Sequence, residues 1–403
     1  MTSIVRVSIL LAIAGLLLYG YHVTIGDYPE NRVFVYEHWR EFPWYKRHHP
    51  PLPLPRFFVK ETATIELAAA HAREQLGIEY EDRVPGSKLT IPEQISAVRS
   101  YLECWTRGAW IATEDYSSLA KHFQDPIYGK CDKKKGDQDR EAVKYVWQPS
   151  CPFIQPKINA SQWCDVLDGR HMLLVGDLVH YQLHEMLLDV LRDGPVVCYG
   201  ELSCRDHTLC PDHDKPINMR YIRNDKLSVA TKIDRANGHP RGDVVQVPFT
   251  QNFIIKAYPI LIINRSPVLE DDTVFIEELT ETLKTIRRLQ PNALIIYRST
   301  SIGHPYCDDA VAPLRKPLSE QETSKLPYGW SEAARRNALA KVIIEAAGGV
   351  FLDTAAITDM RPDGHIGGQD CLRYCIPGPL DAWTLLLYNT LLALMDENAA
   401  AIT

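Results

Sequence analysis

The stretch HMLLVGD, residues 171–177, begins the repeating pattern from which we predict the fold. Its unbroken apolar run is typical of a strand buried on both faces, and an amphipathic stretch at 180–194 follows it at once. Further apolar strand stretches lie at 195–202, 253–264, 292–300 and 349–354. Helical stretches lie at 61–76, 91–105, 274–291, 331–349 and 381–395. Strands that alternate with helices predict an α/β fold with a mainly parallel sheet covered on both faces.

Composition and charge exclude several classes of protein. The chain has 403 residues, of which 45% are hydrophobic, so it is long and apolar enough for a large core. Its formal net charge is −7, so we expect no nucleic-acid partner. No Gly-rich phosphate loop follows a predicted strand, and we predict neither a cofactor nor a bound metal.

The first 60 residues predict a membrane segment and a stem. Arg6 precedes the apolar run VSILLAIAGLLLYGYHV at 7–23, which is the arrangement of a signal anchor, and we assign residues 1–26 to it. The positive charge before the run predicts a type II membrane protein that faces the lumen of the ER or Golgi. Cleavage after Gly26, which would secrete the protein, stays an alternative. Residues 27–60 are proline-rich and predict an extended stem before a luminal domain at 61–403.

All ten cysteines follow the stem, and an even number behind a secretory signal predicts disulfides. Their connectivity cannot be read from the sequence, although we expect Cys371 to pair either outside its own loop or with Cys375. Cysteines and histidines cluster between Cys198 and His213, where a zinc site is the alternative to disulfides. Asn159-Ala-Ser161 is a predicted N-glycosylation sequon. A second sequon at 264–266 precedes Pro267, and we expect it to be unused.

Three polar stretches follow predicted strands, where doubly wound sheets carry their functional groups. They are VGDL at 175–178, YRSTSIGH at 297–304 and RPDGHIGGQDCLRYCIPG at 361–378. Ser301, His304 and His365 lie in these stretches and are candidate catalytic residues of a rearranged hydrolase site, which requires that nucleophile and base meet.

Six blocks of the chain carry a family resemblance. They are CWTRGAWIATED (104–115), YVWQPSCPFI (145–154), DGRHMLLVGD (168–177), YRSTSIGHP (297–305), MRPDGH (360–365) and DCLRYCIPGPLDAW (370–383). In order and spacing they resemble the trichome-birefringence-like family, the plant wall-polysaccharide O-acetyltransferases, and its fungal relatives in the PC-esterase group. The resemblance implies an SGNH-hydrolase-like three-layer sandwich, with a disulfide-tied N-terminal subdomain around residues 100–165.

The resemblance also implies a Ser-His-Asp site, and this chain departs from it at two positions. Leu178 stands where the family has the serine of Gly-Asp-Ser, and Arg373 stands where it has the histidine of Asp-Cys-x-His. Leucine has no nucleophilic atom, and a guanidinium with a pKa above ~12 is not a general base. Asp177 and Asp370 match the family, so acyl-serine chemistry lacks two of its three members.

Several roles stay open for the residues at these positions. Asp177 either caps a helix or orients a ligand. Arg373 either forms an ion pair with Asp370 or binds an anionic substrate group. His180 and His184 lie four residues apart on one predicted helix face, where packing is favoured over metal binding.

Two functions follow as hypotheses. The first is an O-acyl transferase or esterase with a rebuilt site that acts on a glycan or another hydroxylated acceptor. The second is a catalytically silent protein that binds a glycan or assists a partner. That partner would be an active paralogue or a membrane protein that supplies the acyl donor.

Overall fold

The computed structural model describes residues 61–395, apart from gaps at 81, 115–122, 125–127, 129–130, 132–139, 193–195, 198, 202–203, 238–242, 306 and 369. The predicted signal anchor (1–26) and stem (27–60) lie outside the described residues. Within the described ranges, no helix is both long and apolar enough to cross a bilayer.

Helices and strands alternate along much of the described chain. The helices are α1 (Glu61–Leu76), α2 (Pro92–Thr106), α3 (Ala160–Leu167), α4 (Leu178–Leu191), α5 (Asn252–Ala257), α6 (Asp272–Leu289), α7 (Glu320–Thr323), α8 (Ala333–Ala346), α9 (Ala355–Thr358) and α10 (Leu380–Met395). The strands are β1 (Gly108–Ala112), β2 (Phe123–Gln124), β3 (Tyr145–Pro149), β4 (Met172–Gly176), β5 (Val196–Val197), β6 (Asp206–Leu209), β7 (Ile217–Arg223), β8 (Asp234–Asn237), β9 (Asp243–Gln246), β10 (Ile260–Ile263), β11 (Leu294–Arg298), β12 (Val350–Leu352), β13 (His365–Gly367) and β14 (Asp370–Tyr374).

A six-stranded sheet lies at the centre of the fold, in the order β12-β11-β10-β4-β7-β6. The first five strands are parallel to their neighbours, and β6 adds an antiparallel edge to β7. The predicted mainly parallel sheet is therefore confirmed. The parallel arrangement brings the carboxyl ends of β4, β10 and β11 to one edge, where the polar stretches of the sequence follow.

Helices cover both faces of this sheet, which explains why its strands read as unbroken apolar runs. On β4, Met172 and Leu174 point into one core with α2, α3, α4 and α10. Leu173 and Val175 point into a second core with α1, α5, α6 and α8. The strand β10 alternates between the two cores in the same way. The result is the predicted three-layer α/β sandwich.

Two predicted strands need correction, and one central strand was missed. The stretch 253–264 is not one long strand, because α5 occupies its first part and only Ile260–Ile263 is β10. Pro259 separates the two elements, since it lacks the N–H that either a helix or a central ladder requires. Among the described residues of 195–202, the only strand is the two-residue β5, which pairs with β2 outside the central sheet. The central strand β7 was not predicted at all, because its sequence INMRYIR has no apolar run.

Disulfides tie the region around 100–165 to the α/β sandwich. Cys104–Cys151 closes the region on itself, while Cys131–Cys375 and Cys164–Cys210 join it to later elements. Cys371 pairs with Cys307, outside its own loop, which was one of the two expected pairings. Cys204 is also disulfide-bonded. Because Cys204 and Cys210 are both disulfide-bonded, the prediction of disulfides rather than a zinc site is confirmed for these two cysteines.

Arg361 anchors the same region to the sandwich from the other side. Its guanidinium lies 4.2 Å from the centre of the Trp110 ring and donates to the Ala142 carbonyl at 2.6 Å. The Trp110 indole N–H in turn donates to the Ile357 carbonyl at 2.8 Å. The region around residues 100–165 is therefore attached to the sandwich by a cation–π contact and hydrogen bonds as well as by disulfides.

Asp381, near the start of α10, predicts a pH dependence of stability. Burial raises the pKa of its carboxyl group to about 7, and Asp189 adds to the rise while Arg140 and Arg361 oppose it. The unfolded carboxyl group ionises near pH 4, and the folded one only near pH 7. Between these values the unfolded chain binds fewer protons, so the free energy of unfolding falls as pH rises.

We therefore expect Asp381→Asn to remove most of this decline, which is on the order of 3 to 4 kcal/mol between pH 4 and 7. Urea unfolding of the full-length chain at stepped pH measures it. Asp309→Asn, at an exposed aspartate, is the matched control and should keep the wild-type slope. An unchanged slope in Asp381→Asn would show that other groups cause the decline.

Candidate functional site

The turn between β4 and α4 forms the first part of the candidate site. Asp177 is the N-cap of α4, and its carboxylate accepts the backbone N–H of His180 at 2.8 Å. A Cβ atom at Gly176 would lie 2.9 Å from the His180 Cβ and 3.0 Å from the Asn264 Cβ, so only glycine fits there. Leu178, at the family's serine position, is the first residue of the helix.

Arg298, the last residue of β11, crosses the end of β10 to reach this turn. Its Nη2 donates to the Asp177 Oδ1 at 3.0 Å, and its Nε donates to the His180 Nδ1 at 3.1 Å. The guanidinium also lies 4.8 Å from the centre of the Trp383 ring on α10. Asp177 is therefore paired with a buried cation as well as capping the helix.

The histidines of α4 are packing residues. Burial, reinforced by Arg298, holds the pKa of His180 well below its usual range. Because its Nδ1 accepts from Arg298, the ring proton lies on Nε2, which faces the Ile262 carbonyl at 3.0 Å. Burial, with a smaller contribution from His207, lowers the pKa of His184 to about 3. The described residues contain no group of three or more side chains arranged to hold a metal ion.

Asp370, the first residue of β14, and Arg373, three residues later on the same strand, form the second part of the site. The Asp370 Oδ2 accepts from the Arg373 Nε at 2.6 Å, while Oδ1 accepts the Arg373 backbone N–H at 3.0 Å. Both side chains are largely buried. The sequence left two roles open for Arg373, and in the structure it forms the ion pair with Asp370.

Gln182 brings the two parts of the site together. It lies one turn after Leu178, and its side-chain amide bonds both backbone groups of Tyr374, at 2.6 and 2.9 Å. Helix α4 is thus fastened alongside β14, next to the Asp370–Arg373 pair. The two positions at which the chain departs from the family pattern are therefore on neighbouring elements.

Ser301, His304 and His365 lie together, but not as a nucleophile and its base. The Nδ1 of His304 is 2.7 Å from the Nε2 of His365, and the Nε2 of His304 faces the Asp359 carbonyl at 2.7 Å. Burial lowers the pKa of His304 to about 4. The Ser301 hydroxyl accepts instead from the Thr358 hydroxyl at 3.3 Å.

A close backbone approach holds the His304 loop against β14. A Cβ atom at Gly303 would lie 2.2 Å from the Trp330 ring and 2.7 Å from the Cys371 carbonyl. The His304 N–H donates to the same carbonyl at 3.0 Å, and the Cys307–Cys371 disulfide closes the loop.

Two residues of the site were missed as candidates, Arg298 and Gln182. Arg298 ends the apolar run LIIYR, and a charge at the carboxyl end of a buried strand is a readable signal of a site residue. Gln182 offered no signal, because its role depends on where β14 lies.

The chain is similar in sequence to a known family and to several named proteins. The sequence profile of the PC-Esterase family, described as a GDSL/SGNH-like acyl-esterase family found in Pmr5 and Cas1p, matches residues 270–390. The predicted family resemblance is confirmed. The matched range contains β11, the His304 loop, β13 and β14, and thus both Arg298 and the Asp370–Arg373 pair.

Relatives from Arabidopsis thaliana extend the similarity beyond that range. Protein trichome birefringence-like 42 is 25% identical over 318 residues, covering 71% of this chain and 88% of the relative. Xyloglucan O-acetyltransferase 2 is 22% identical over 303 residues, covering 62% of this chain and 73% of the relative. Protein trichome birefringence-like 25 is 22% identical over 374 residues, covering 71% of this chain and 76% of the relative.

The buried Asp177–Arg298 pair predicts a non-additive effect on stability. Arg298→Leu leaves the Asp177 carboxylate without its cation, and we expect the free energy of unfolding to fall by about 3–5 kcal/mol. Asp177→Asn combined with Arg298→Leu should lose clearly less than the sum of the two single changes, because no unpaired charge remains.

Denaturant unfolding of the full-length chain measures this cycle, with Arg315→Gln, at an exposed arginine, as the control. Additive losses would contradict a direct interaction between the two side chains.

Proposed function

We propose that this PC-esterase-family protein binds a glycan and does not form an acyl-serine intermediate. The observation that carries the proposal is the ion pair between Asp370 and Arg373. At these positions the family resemblance implies the aspartate and histidine that activate a serine. Here the carboxylate is bound to a guanidinium, and Leu178 occupies the place of the nucleophile.

Acyl transfer through a serine requires that a hydroxyl, a neutral imidazole and a carboxylate act as a unit. Of these, only Asp370 is present at the expected positions. The nearby candidates support no replacement, since the Ser301 hydroxyl bonds Thr358 and the nitrogens of His304 face His365 and a carbonyl. The groups required for chemistry are therefore directed at one another or at structural partners.

The proposed ligand class rests on the relatives. One of them is named a xyloglucan O-acetyltransferase, an enzyme that acts on a hydroxylated glycan. We propose that this chain retains recognition of a glycan of this general kind. In that role it would assist an active paralogue or a membrane partner that supplies the acyl donor.

A second candidate is an acyl-transfer enzyme with a rebuilt site, which the family match itself favours. Its base would be His304, which is neutral at physiological pH because burial lowers its pKa to about 4. Ser301 is then the first nucleophile to test, because it lies three residues away in the same loop.

A fluorophosphonate probe, which labels activated serines, separates these functions. We expect the wild-type chain and Leu178→Ala to remain unlabelled, while a known serine hydrolase in the same reaction is labelled. Leu178→Ser combined with Arg373→His restores the missing hydroxyl and imidazole, and we expect weak labelling of this double variant. Either single change alone should give none.

Labelling of the wild-type chain that disappears in Ser301→Ala would overturn the proposal in favour of the rebuilt site. Labelling that persists in Ser301→Ala would assign the nucleophile to another serine, and it would equally overturn the silent function.

We also propose that residues 61–403 face the lumen of the secretory pathway behind a signal anchor. The disulfides support an oxidising compartment. Asn159 is exposed at the N-cap of α3, as an N-glycosylation site requires. Asn264 is fully buried, and its side-chain amide donates to the Arg265 and Arg298 carbonyls.

We therefore expect one N-linked glycan, at Asn159. Ser161→Ala destroys the sequon but leaves the Asn159 cap, and it should abolish the mass shift on glycosidase digestion without loss of stability. Protease protection of the C-terminal domain in intact microsomes tests the orientation. Digestion from the cytosolic side would contradict it.

A further inference from the structure

A cavity of about 190 Å³ lies at one edge of the central sheet, beside the edge strand β12. One face of α2, the second half of α8 and the start of α9 form its walls. In the order of the sheet it is three strands away from β4, so it is separate from the turn that carries Asp177. Its volume is well below the roughly 300 Å³ at which pockets for drug-sized ligands begin, so it suits a small molecule.

Arg99, on α2, lines this cavity with donors that are not used inside the protein. Its Nε and Nη2 atoms are shielded from solvent, and across the described residues neither has a hydrogen-bond partner. These two atoms form the edge of a guanidinium that binds a carboxylate through two parallel hydrogen bonds. Because buried donors without a partner cost free energy, this edge indicates a ligand rather than packing.

The two other cations of the cavity lining have a partner. The Arg107 Nη2 lies 3.5 Å from one carboxylate oxygen of Glu103, and the Lys341 Nζ lies 2.5 Å from the other. All three side chains are at least 37% exposed, so this pairing takes place in contact with solvent. Within the described ranges, Arg99 is therefore the one lining cation that lacks a carboxylate partner.

Two further carboxyl groups, those of Glu345 and Asp353, line the cavity. Burial raises the pKa of both, while Arg99 and Lys341 oppose the rise at Glu345. A dianion such as phosphate would bring a second negative charge close to these carboxyl groups, with only one unpaired cation to offset it. The charges of the cavity therefore favour a ligand that carries a single negative charge.

The rest of the lining is largely apolar. Leu102 is buried, and Phe351 is half-buried, with its ring stacked on that of Tyr297 at a centroid distance of 5.8 Å. The Thr106 hydroxyl donates to the Leu102 carbonyl at 3.0 Å, so its proton is already used. A ligand with an acidic head and a short apolar body fits this combination.

We propose that this cavity binds a small monocarboxylic acid. Its carboxylate accepts two parallel hydrogen bonds from the Nε and Nη2 of Arg99, and its short apolar body lies against Leu102 and Phe351. The neutral analogue of such an acid lacks the charge that the guanidinium recognises. This site is separate from the Asp370–Arg373 pair and goes beyond the proposed glycan-binding function.

A ligand-observed NMR titration of the full-length chain tests this site with three probes. They are butyrate, its neutral analogue butyramide, and inorganic phosphate. We expect butyrate to bind at least about tenfold more tightly than either of the others, because only butyrate combines one negative charge with an apolar body.

Two substitutions of Arg99 separate the planar guanidinium from its charge. Arg99→Gln removes both and should abolish butyrate binding. Arg99→Lys keeps the charge but not the two parallel donors, and it should weaken binding about tenfold. Arg107→Gln is the matched control, since it removes the same charge from the same cavity lining, and it should change the Kd less than about twofold.

Thermal unfolding of each variant without ligand keeps a loss of folding separate from a loss of binding. Arg99→Lys carries the test alone if Arg99→Gln does not fold. Equal binding of butyramide would overturn recognition of an anion, and equal binding of phosphate would overturn the monocarboxylate class. Equal weakening by Arg107→Gln would show an effect of net charge alone, which would also overturn the site. Absence of butyrate binding to the wild-type chain would do the same.

Discussion

The Arg298 guanidinium, buried where β11 ends, is the group on which the arrangement of the site depends. It bonds the N-cap of α4 through Asp177, the first turn of the same helix through His180, and the face of Trp383 on α10. Burying a cation costs free energy unless the cation is paired and hydrogen-bonded. The Arg298 guanidinium therefore requires Asp177, His180 and Trp383 beside it. Helix α4, whose first residue is at the family's serine position, is therefore held in place by the Arg298 guanidinium, which reaches it from β11 across the end of β10.

The same logic applies to the other buried polar groups of the candidate site. A serine-type site leaves polar atoms ready for a substrate. Here Asp177 and Asp370 each bind an arginine, and His180 and His304 direct their nitrogens at neighbours or carbonyls. Buried polar groups whose hydrogen bonds are made within the protein stabilise a single structure, whereas catalytic groups keep free hydrogen-bonding capacity for a ligand. The polar groups of the candidate site are therefore bonded within the protein.

From the amino-acid sequence, strands β4, β11 and β12 and helices α4, α6 and α8 could be predicted, because strands buried on both faces must be apolar throughout. The sequence also predicted the resemblance to the PC-esterase family, through blocks whose spacing survives at low identity. It misread residues 253–264 as one strand and missed β7, where polar residues such as Arg220 alternate with the buried ones.

Tertiary structure alone decided which cysteines pair, since loop closure between Cys131 and Cys375 spans 244 residues and leaves no local pattern. It also decided the roles of Gln182 and Arg298, whose partners are remote in sequence but adjacent across parallel strands. The parallel sheet brings distant strand ends together, and only the assembled sheet shows that the charges there neutralise one another.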